Sequence, residues 1–142
     1  TVTNTGDVSG TDVVQLYGHD VRATITRPVA QLLGYARATL DAGASARVTF
    51  TVPTTRVAFS DQRLVRVVEP GDVEVWVGSH ASASAATTSI EGSTGGAIPS
   101  GGRARTRLAG TATERAVVAI TGEVHEVTAD DERWVGVSVE PA

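Results

Sequence analysis

Apolar and polar residues alternate along several short stretches of the chain, most clearly in ARVTFTVP, residues 46–53. The apolar side chains of this stretch share one side: Ala46, Val48, Phe50 and Val52. A period of two predicts a β-strand with one buried face and one wet face. Pro53 ends this strand because proline has no N–H to donate to a ladder. VEVWVG, residues 73–78, predicts another strand, with its valines inward and Glu74 and Trp76 outward.

Turn-forming residues recur about every 10 to 20 residues along the first half of the chain. They lie at residues 6–10, 19–28, 41–44, 60–63 and 69–72. Short strands at this spacing favour an antiparallel β-sandwich. No helical period continues beyond about two turns. The pattern therefore predicts an all-β fold.

The segment TRPVAQLLGYARATLDAG, residues 26–43, is apolar on both faces near its start. Arg27 and Pro28 restrict the backbone at the start of this segment, because proline holds the preceding residue out of helical geometry. One set of its side chains is interpreted as facing the sandwich interior: Leu32, Ala36, Ala38 and Leu40. Leu33 and Tyr35 then lie on the outer face, and we predict that they contact another domain. Arg27 and Pro28 would fix the path of the chain at that seam.

Tyr17 and Trp76 also fall on the outer faces of their predicted strands. Two interpretations remain open for both side chains. Either a loop or the C-terminal tail packs over them, or they contact another domain. The candidate interdomain interface therefore has six members: Tyr17, Arg27, Pro28, Leu33, Tyr35 and Trp76.

The chain changes character after residue 78, where Ser, Ala, Thr and Gly become abundant. We predict a sandwich domain over residues 1–90, with a truncated first strand, and a Gly-rich linker or loop over residues 91–102. Residues 103–142 regain a strand-like pattern. This tail either completes the sandwich or extends its sheet.

Composition narrows the classes of function. The 142 residues suffice for one domain, and the absence of cysteine excludes disulfides and thiolate metal ligands. The net charge is -4 and all twelve cations are arginine, without a basic stripe, so nucleic acid is not an expected partner. No apolar run approaches ~20 residues, so no membrane span is expected. The chain also has no methionine, which suggests a fragment or processed product; the compartment, cytoplasmic or secreted, and the oligomeric state stay open.

The residue types that carry chemistry do not assemble into a motif. His19, His80 and His125 have no partners at a metal-ligand spacing, and there is no G-x-S-x-G nucleophile elbow. GSTGG lacks the lysine of a phosphate-binding loop. Most carboxylates lie at turns, where such side chains bond their own backbone. We therefore predict no catalytic residue, no cofactor and no metal site in this chain.

Three sequence blocks point to a known family. They are VTNTGDVSGTDVVQLYGHD, ITRPVAQLLGYARATLDAGASARVTFTV and VVEPGDVEVWVGS. In this order and spacing they resemble the C-terminal fibronectin type III-like domain of family 3 glycoside hydrolases, which include β-glucosidases and β-xylosidases. The resemblance implies an immunoglobulin-like sandwich, and it places the catalytic aspartate and glutamate in domains upstream. It does not explain the tail.

The resemblance further implies a non-catalytic accessory domain, whose partners are the upstream catalytic domains of the same polypeptide. The parent enzyme would hydrolyse terminal β-linked glycosidic bonds, with β-glucosidase favoured over β-xylosidase. Two other classes remain. A carbohydrate- or surface-binding sandwich would need an aromatic platform, and a spacer module of a surface protein would need tandem repeats, of which the sequence shows none.

Overall fold

The computed structural model describes residues 1–78 and 115–142 and, between them, the backbone of two short strands at residues 98–99 and 103–106. In chain order the strands are β1 Val2–Thr3, β2 Gly10–Asp20, β3 Gln31–Leu40, β4 Ser45–Pro53, β5 Phe59–Ser60, β6 Arg66–Val68, β7 Gly71–Gly78, β8 Ile98–Pro99, β9 Arg103–Thr106, β10 Arg115–Thr121, β11 His125–Glu126 and β12 Gly136–Pro141. A short 3₁₀ helix, Thr54–Val57, follows β4. The prediction of an all-β fold is confirmed.

The described strands form three sheets. The five-strand sheet has the order β3-β2-β7-β10-β8, and its neighbours are antiparallel except for β8 beside β10. In the four-strand sheet, β4 pairs with β12 on one edge and with β1 on the other, and it also pairs with β9. β11, β6 and β5 form the small third sheet. The predicted antiparallel β-sandwich is therefore confirmed.

The core lies between the two larger sheets. The five-strand sheet contributes Leu16, Leu33, Ala36, Val73, Val75 and Ile120 to it, and the four-strand sheet contributes Val48 and Phe50. On β4 the predicted inward residues are buried or half-buried, while Arg47 between them is exposed. Alternation along one strand therefore predicted its buried face correctly.

The turn predicted at residues 41–44 carries the chain from β3 in one sheet to β4 in the other. Gly43 adopts a left-handed φ of 74°, which glycine tolerates without strain. The side chain of Asn4 ties this turn to the start of the chain: its Nδ2 donates to the carbonyl oxygens of Val8, at 2.8 Å, and Leu40, at 3.0 Å. Asparagine is favoured at such places because its short amide bonds nearby backbone.

A β-bulge in β3 alters the faces that the sequence predicted. Leu16 pairs with Gly34 and Tyr17 pairs with Leu32, so Leu33 is an extra residue between two ladder pairs. A bulge of this kind re-aims a side chain. Leu33 is 2% exposed and belongs to the core, and a Cβ added at Gly18 would meet its Cδ1 at 2.7 Å. The prediction that Leu33 lies on the outer face is therefore wrong.

The bulge displaces Leu32 as well. Its side chain is exposed, although the alternation predicted it to face the interior. Beyond the bulge the prediction holds, since Ala36 and Ala38 are buried and Leu40 is half-buried. The faces thus follow period two on the C-terminal side of the bulge, but the pattern does not continue through it.

The C-terminal residues contribute strands to both large sheets. β10 pairs with β7 from Arg115 to Ile120, and β12 pairs with β4 from Gly136 to Pro141. Ile120 is buried in the common core. The predicted linker, residues 91–102, lies outside the described residues apart from β8, as does His80.

Candidate functional site

Two aromatic side chains meet on the outer face of the five-strand sheet. Tyr17 of β2 and Trp76 of β7 stand directly opposite each other in the ladder. Their ring centroids are 5.8 Å apart with an interplanar angle of 20°, a stacked arrangement that adds to the energy of area burial. Trp76 is 1% exposed, and Tyr17 is also buried. The hydroxyl of Tyr17 donates to Oε1 of Gln15.

Arg115, the first residue of β10, lies over the ring of Trp76. Its guanidinium carbon is 4.5 Å from the ring centroid of Trp76, and its Nη1 is 2.7 Å from Oε2 of Glu74. The ion pair holds the guanidinium in place above the ring, where the cation is attracted to the aromatic face. Of the two interpretations left open for Trp76, the structure thus shows packing by the C-terminal tail.

Arg27 is bound to its own domain at the far end of β2. Its guanidinium carbon lies 4.7 Å from the ring centroid of Phe59, and its Nη2 donates to the carbonyl oxygen of Val57. Its Nε is 3.8 Å from Oδ2 of Asp20. Burial lowers the pKa of Arg27, and the Asp20 carboxylate opposes that effect. Arg27 therefore anchors the loop before β3, while Pro28 beside it is exposed.

Of the large apolar side chains in the predicted interface, Tyr35 is the exposed one, at 61%. It lies on β3, an edge strand, opposite Gln15 of β2. Leu32 stands opposite Tyr17, so it lies on the same face as Tyr35, and its side chain is exposed. Val29 is exposed in the loop before β3. We call Val29, Leu32 and Tyr35 the β3 patch. Leu33, in contrast, belongs to the core.

Sequence reasoning missed two parts of this face. The alternation of the sequence places Leu32 in the interior, because the bulge in β3 has no signature in the residues around it. Arg115 was not selected because its partner Glu74 lies 41 residues away, and no short-range pattern joins them. The exposed β3 patch adjoins the buried stacked pair on this face, because Leu32 stands opposite Tyr17 and Tyr17 stands opposite Trp76.

The described residues show no arrangement for metal chemistry. Within residues 1–78 and 115–142, no group of three or more His, Cys, Asp or Glu side chains could hold an ion. His19 Nδ1 lies 3.2 Å from the carbonyl oxygen of Pro28, and His125 Nε2 lies 3.0 Å from Oδ1 of Asp131. Among the described residues, no helix is long and apolar enough to cross a membrane.

Asp131 is expected to make the stability of the chain sensitive to acid. The backbone N–H of Thr128, at 2.7 Å from Oδ2, and the ring of His125 hold the pKa of Asp131 below its usual value. A carboxyl whose pKa is lower in the folded state stabilises the fold above the unfolded pKa, and this contribution is lost as pH falls through the folded pKa. The melting temperature (Tm) of Asp131→Asn should therefore lie below that of the wild type near neutral pH and approach it in acid.

The measurement is Tm by circular dichroism from about pH 6 down to about pH 2. Asp130→Asn, at the exposed neighbouring residue, is the matched control and should follow the wild-type curve. A Tm difference between Asp131→Asn and the wild type that is the same at every pH would contradict the role of this carboxylate.

Comparison with known proteins agrees with this architecture. Residues 12–81 match the family described as fibronectin type III-like domain. A periplasmic beta-glucosidase from Salmonella typhimurium is 39% identical over 77 residues, which are 54% of this chain and 10% of that protein. A beta-xylosidase from Formosa agariphila is 39% identical over 82 residues, 58% of this chain and 11% of that protein.

Solved structures share the fold. A beta-glucosidase from Listeria innocua superposes with a TM-score of 0.54 at 22% identity, covering 85% of this chain and 13% of that one. A beta-glucosidase from Kluyveromyces marxianus superposes with a TM-score of 0.55 at 17% identity, covering 84% of this chain and 12% of that one.

Residues 12–81 thus match a fibronectin type III-like domain, and the described strands of the chain form an antiparallel β-sandwich. The resemblance to the corresponding domain of family 3 glycoside hydrolases is confirmed, because the relatives that match this segment are β-glucosidases and β-xylosidases. The chain spans about a tenth of the length of these relatives.

Proposed function

We propose that this chain is a non-catalytic accessory domain of a family 3 glycoside hydrolase. The parent polypeptide hydrolyses terminal β-linked glycosidic bonds, and β-glucosidase is favoured over β-xylosidase. The observation that carries the proposal is the match of this segment to about a tenth of each relative, since most of those relatives are named β-glucosidases.

The surroundings of the carboxylates support a role without catalysis. Glu69 accepts hydrogen bonds from the backbone N–H and the hydroxyl of Thr24, at 3.2 and 2.8 Å. Glu74 is paired with Arg115. Asp61 accepts from the backbone N–H of Val65 at 3.0 Å and thereby closes a turn. Glycoside hydrolysis needs two carboxylates that face each other across a cleft, whereas these carboxylates bond backbone and side-chain groups of the same domain.

The β3 patch is the surface that we assign to docking on the rest of the polypeptide. Leu32 and Tyr35 project from the edge strand β3, and Val29 projects from the loop before it. Tyr17 of the stacked pair stands opposite Leu32 on the same face. Covering such a patch stabilises the assembly by roughly 25 cal/mol per Å² of apolar area removed from water, before ordering costs. Of the predicted interface residues, Tyr35 and Pro28 keep an exposed position there.

The 142-residue chain is expected to release no p-nitrophenol from aryl β-glycosides. The polypeptide encoded by the whole reading frame should hydrolyse the β-glucoside faster than the β-xyloside, because its catalytic groups lie outside these residues. The control is the same long polypeptide without residues 1–142, which should melt at a lower temperature since the docking surface is lost. Hydrolysis by the short chain, or none by the long one, would overturn the proposal.

A further inference from the structure

The edge strand β12 presents apolar side chains that the described residues leave uncovered. Among the described strands it lies at the edge of its sheet, and it pairs with β4 in unbroken register. Val137 stands opposite Phe50 and Val139 opposite Val48, so both valines point to the core side of the sheet. They are nevertheless 43% and 41% exposed. The five-strand sheet therefore covers the core side of β12 only in part.

One hydrogen bond shows where the backbone groups of β12 point. The N–H of Ala142 donates to the carbonyl oxygen of Ser45 at 3.0 Å. In an antiparallel ladder the bonded residues alternate, so every second residue counted back from Ala142 faces β4. The residues between them, Val137 and Val139, direct their N–H and C=O groups away from β4. Pro141 also faces away from β4, at a position where no N–H is needed to bond β4.

Over residues 136–140 this edge lacks the usual protection, and the proline of β12, Pro141, lies at its C-terminal end. Natural edge strands are guarded by lysine, proline, bulges or inward charges. From Gly136 to Glu140 the strand has no lysine, no proline and no register shift, and its inward residues are valines. A strand with these properties is suited to pair with another strand.

We propose that two copies of this chain associate by antiparallel pairing of their β12 strands, about a two-fold axis at Ser138. In this register Val137 of one copy stands opposite the partner's Val139, and their outward N–H and C=O groups bond each other. Glu140 stands opposite the partner's Gly136, so no like charges face each other directly. The valines of both copies then form one apolar strip across the axis.

A second copy fits this edge better than an unrelated strand because the sequence about Ser138 is self-complementary: valine meets valine, and the acidic residue meets glycine. The contact is short, below the roughly 1,200 Å² of a stable complex. We therefore expect a weak dimer, with a dissociation constant between about 1 µM and about 1 mM. This inference does not rest on the proposed accessory function, since it uses another surface of the domain.

The test combines sedimentation equilibrium with amide hydrogen exchange on the 142-residue chain. The mean mass should rise from monomer to dimer between about 1 µM and about 1 mM. The amides of Val137 and Val139 should exchange rapidly in dilute samples and become protected as the dimer forms. The amides of Ser138 and Glu140 should be protected throughout, because they bond β4. This readout needs no substitution.

Val139→Pro and Val139→Thr form a matched pair of variants. Proline removes an N–H that points away from β4, so the monomer keeps its ladder and the dissociation constant should rise about tenfold or more. Threonine keeps that N–H and the side-chain shape, so the constant should change by less than about threefold. Equal weakening by both variants would overturn the proposal.

Two other results would overturn it. One is a chain that stays monomeric at about 1 mM, the weakest association allowed by the proposal. The other is a monomeric long polypeptide in which the amides of Val137 and Val139 are protected at every concentration. In that case another segment of the same polypeptide, rather than a second copy, covers β12.

Discussion

Replacement of Trp76 by alanine is expected to lower the free energy of unfolding of the 142-residue chain by about 3–5 kcal/mol. The side chain is 1% exposed, it stacks on Tyr17, and the guanidinium of Arg115 lies over it. Its removal leaves a cavity on the outer face that a tyrosine and an arginine cannot fill. Urea unfolding followed by far-UV circular dichroism measures the loss.

The control for this prediction is the chain's other tryptophan. Trp134 is 84% exposed, so Trp134→Ala should change the free energy of unfolding by no more than about 0.5 kcal/mol. Both variants are measured in dilute samples, where self-association does not contribute. Similar losses in the two variants would show that Trp76 is not packed as described.

Leu33→Ala is expected to lower the free energy of unfolding of the isolated chain by about 2–5 kcal/mol, because the bulge turns Leu33 into the core. Tyr35→Ala, two residues further on, should cost no more than about 0.5 kcal/mol there, since its ring is mostly in solvent. Denaturant unfolding of both variants gives the comparison. It separates two residues that the alternation of the sequence assigned to the same outer surface.

A larger effect of Tyr35→Ala is expected in the long polypeptide than in the isolated chain. If the β3 patch docks on the catalytic domains, Tyr35→Ala should lower the Tm of the full-length protein while it leaves that of the isolated chain unchanged. Arg37→Ala, at an exposed residue of β3 on the same face, is the control and should leave both unchanged. An unchanged full-length Tm for Tyr35→Ala would remove the β3 patch from the interface.

The parts of the fold that the sequence predicted are those governed by local rules. The buried face of β4 follows from the alternation of Val48 and Phe50 with polar residues, and the turn before it follows from Gly43, whose positive φ favours glycine. The family resemblance rests on blocks of this kind. Such features were predictable because a residue's neighbours in sequence are also the neighbours that determine its geometry.

The candidate site was predictable only in part. The sequence selected Tyr17, Trp76 and Tyr35 as residues on an outer face, and the ladder pairs agree with that face. It did not reveal that Arg115 covers Trp76, because β10 reaches β7 from a distant part of the chain. Exposure on the outer face is therefore a property of the whole sheet rather than of a strand.

For this protein, the amino-acid sequence alone determined the all-β class, the principal strands and the absence of a recognisable catalytic motif. The tertiary structure decided the orientation of Leu33, the burial of Trp76 and the exposure of the inward valines of β12. The physical reason is the same in each case. A bulge is defined by the register between two strands, and burial is defined by what packs on a side chain, so neither is contained in the period of a single strand.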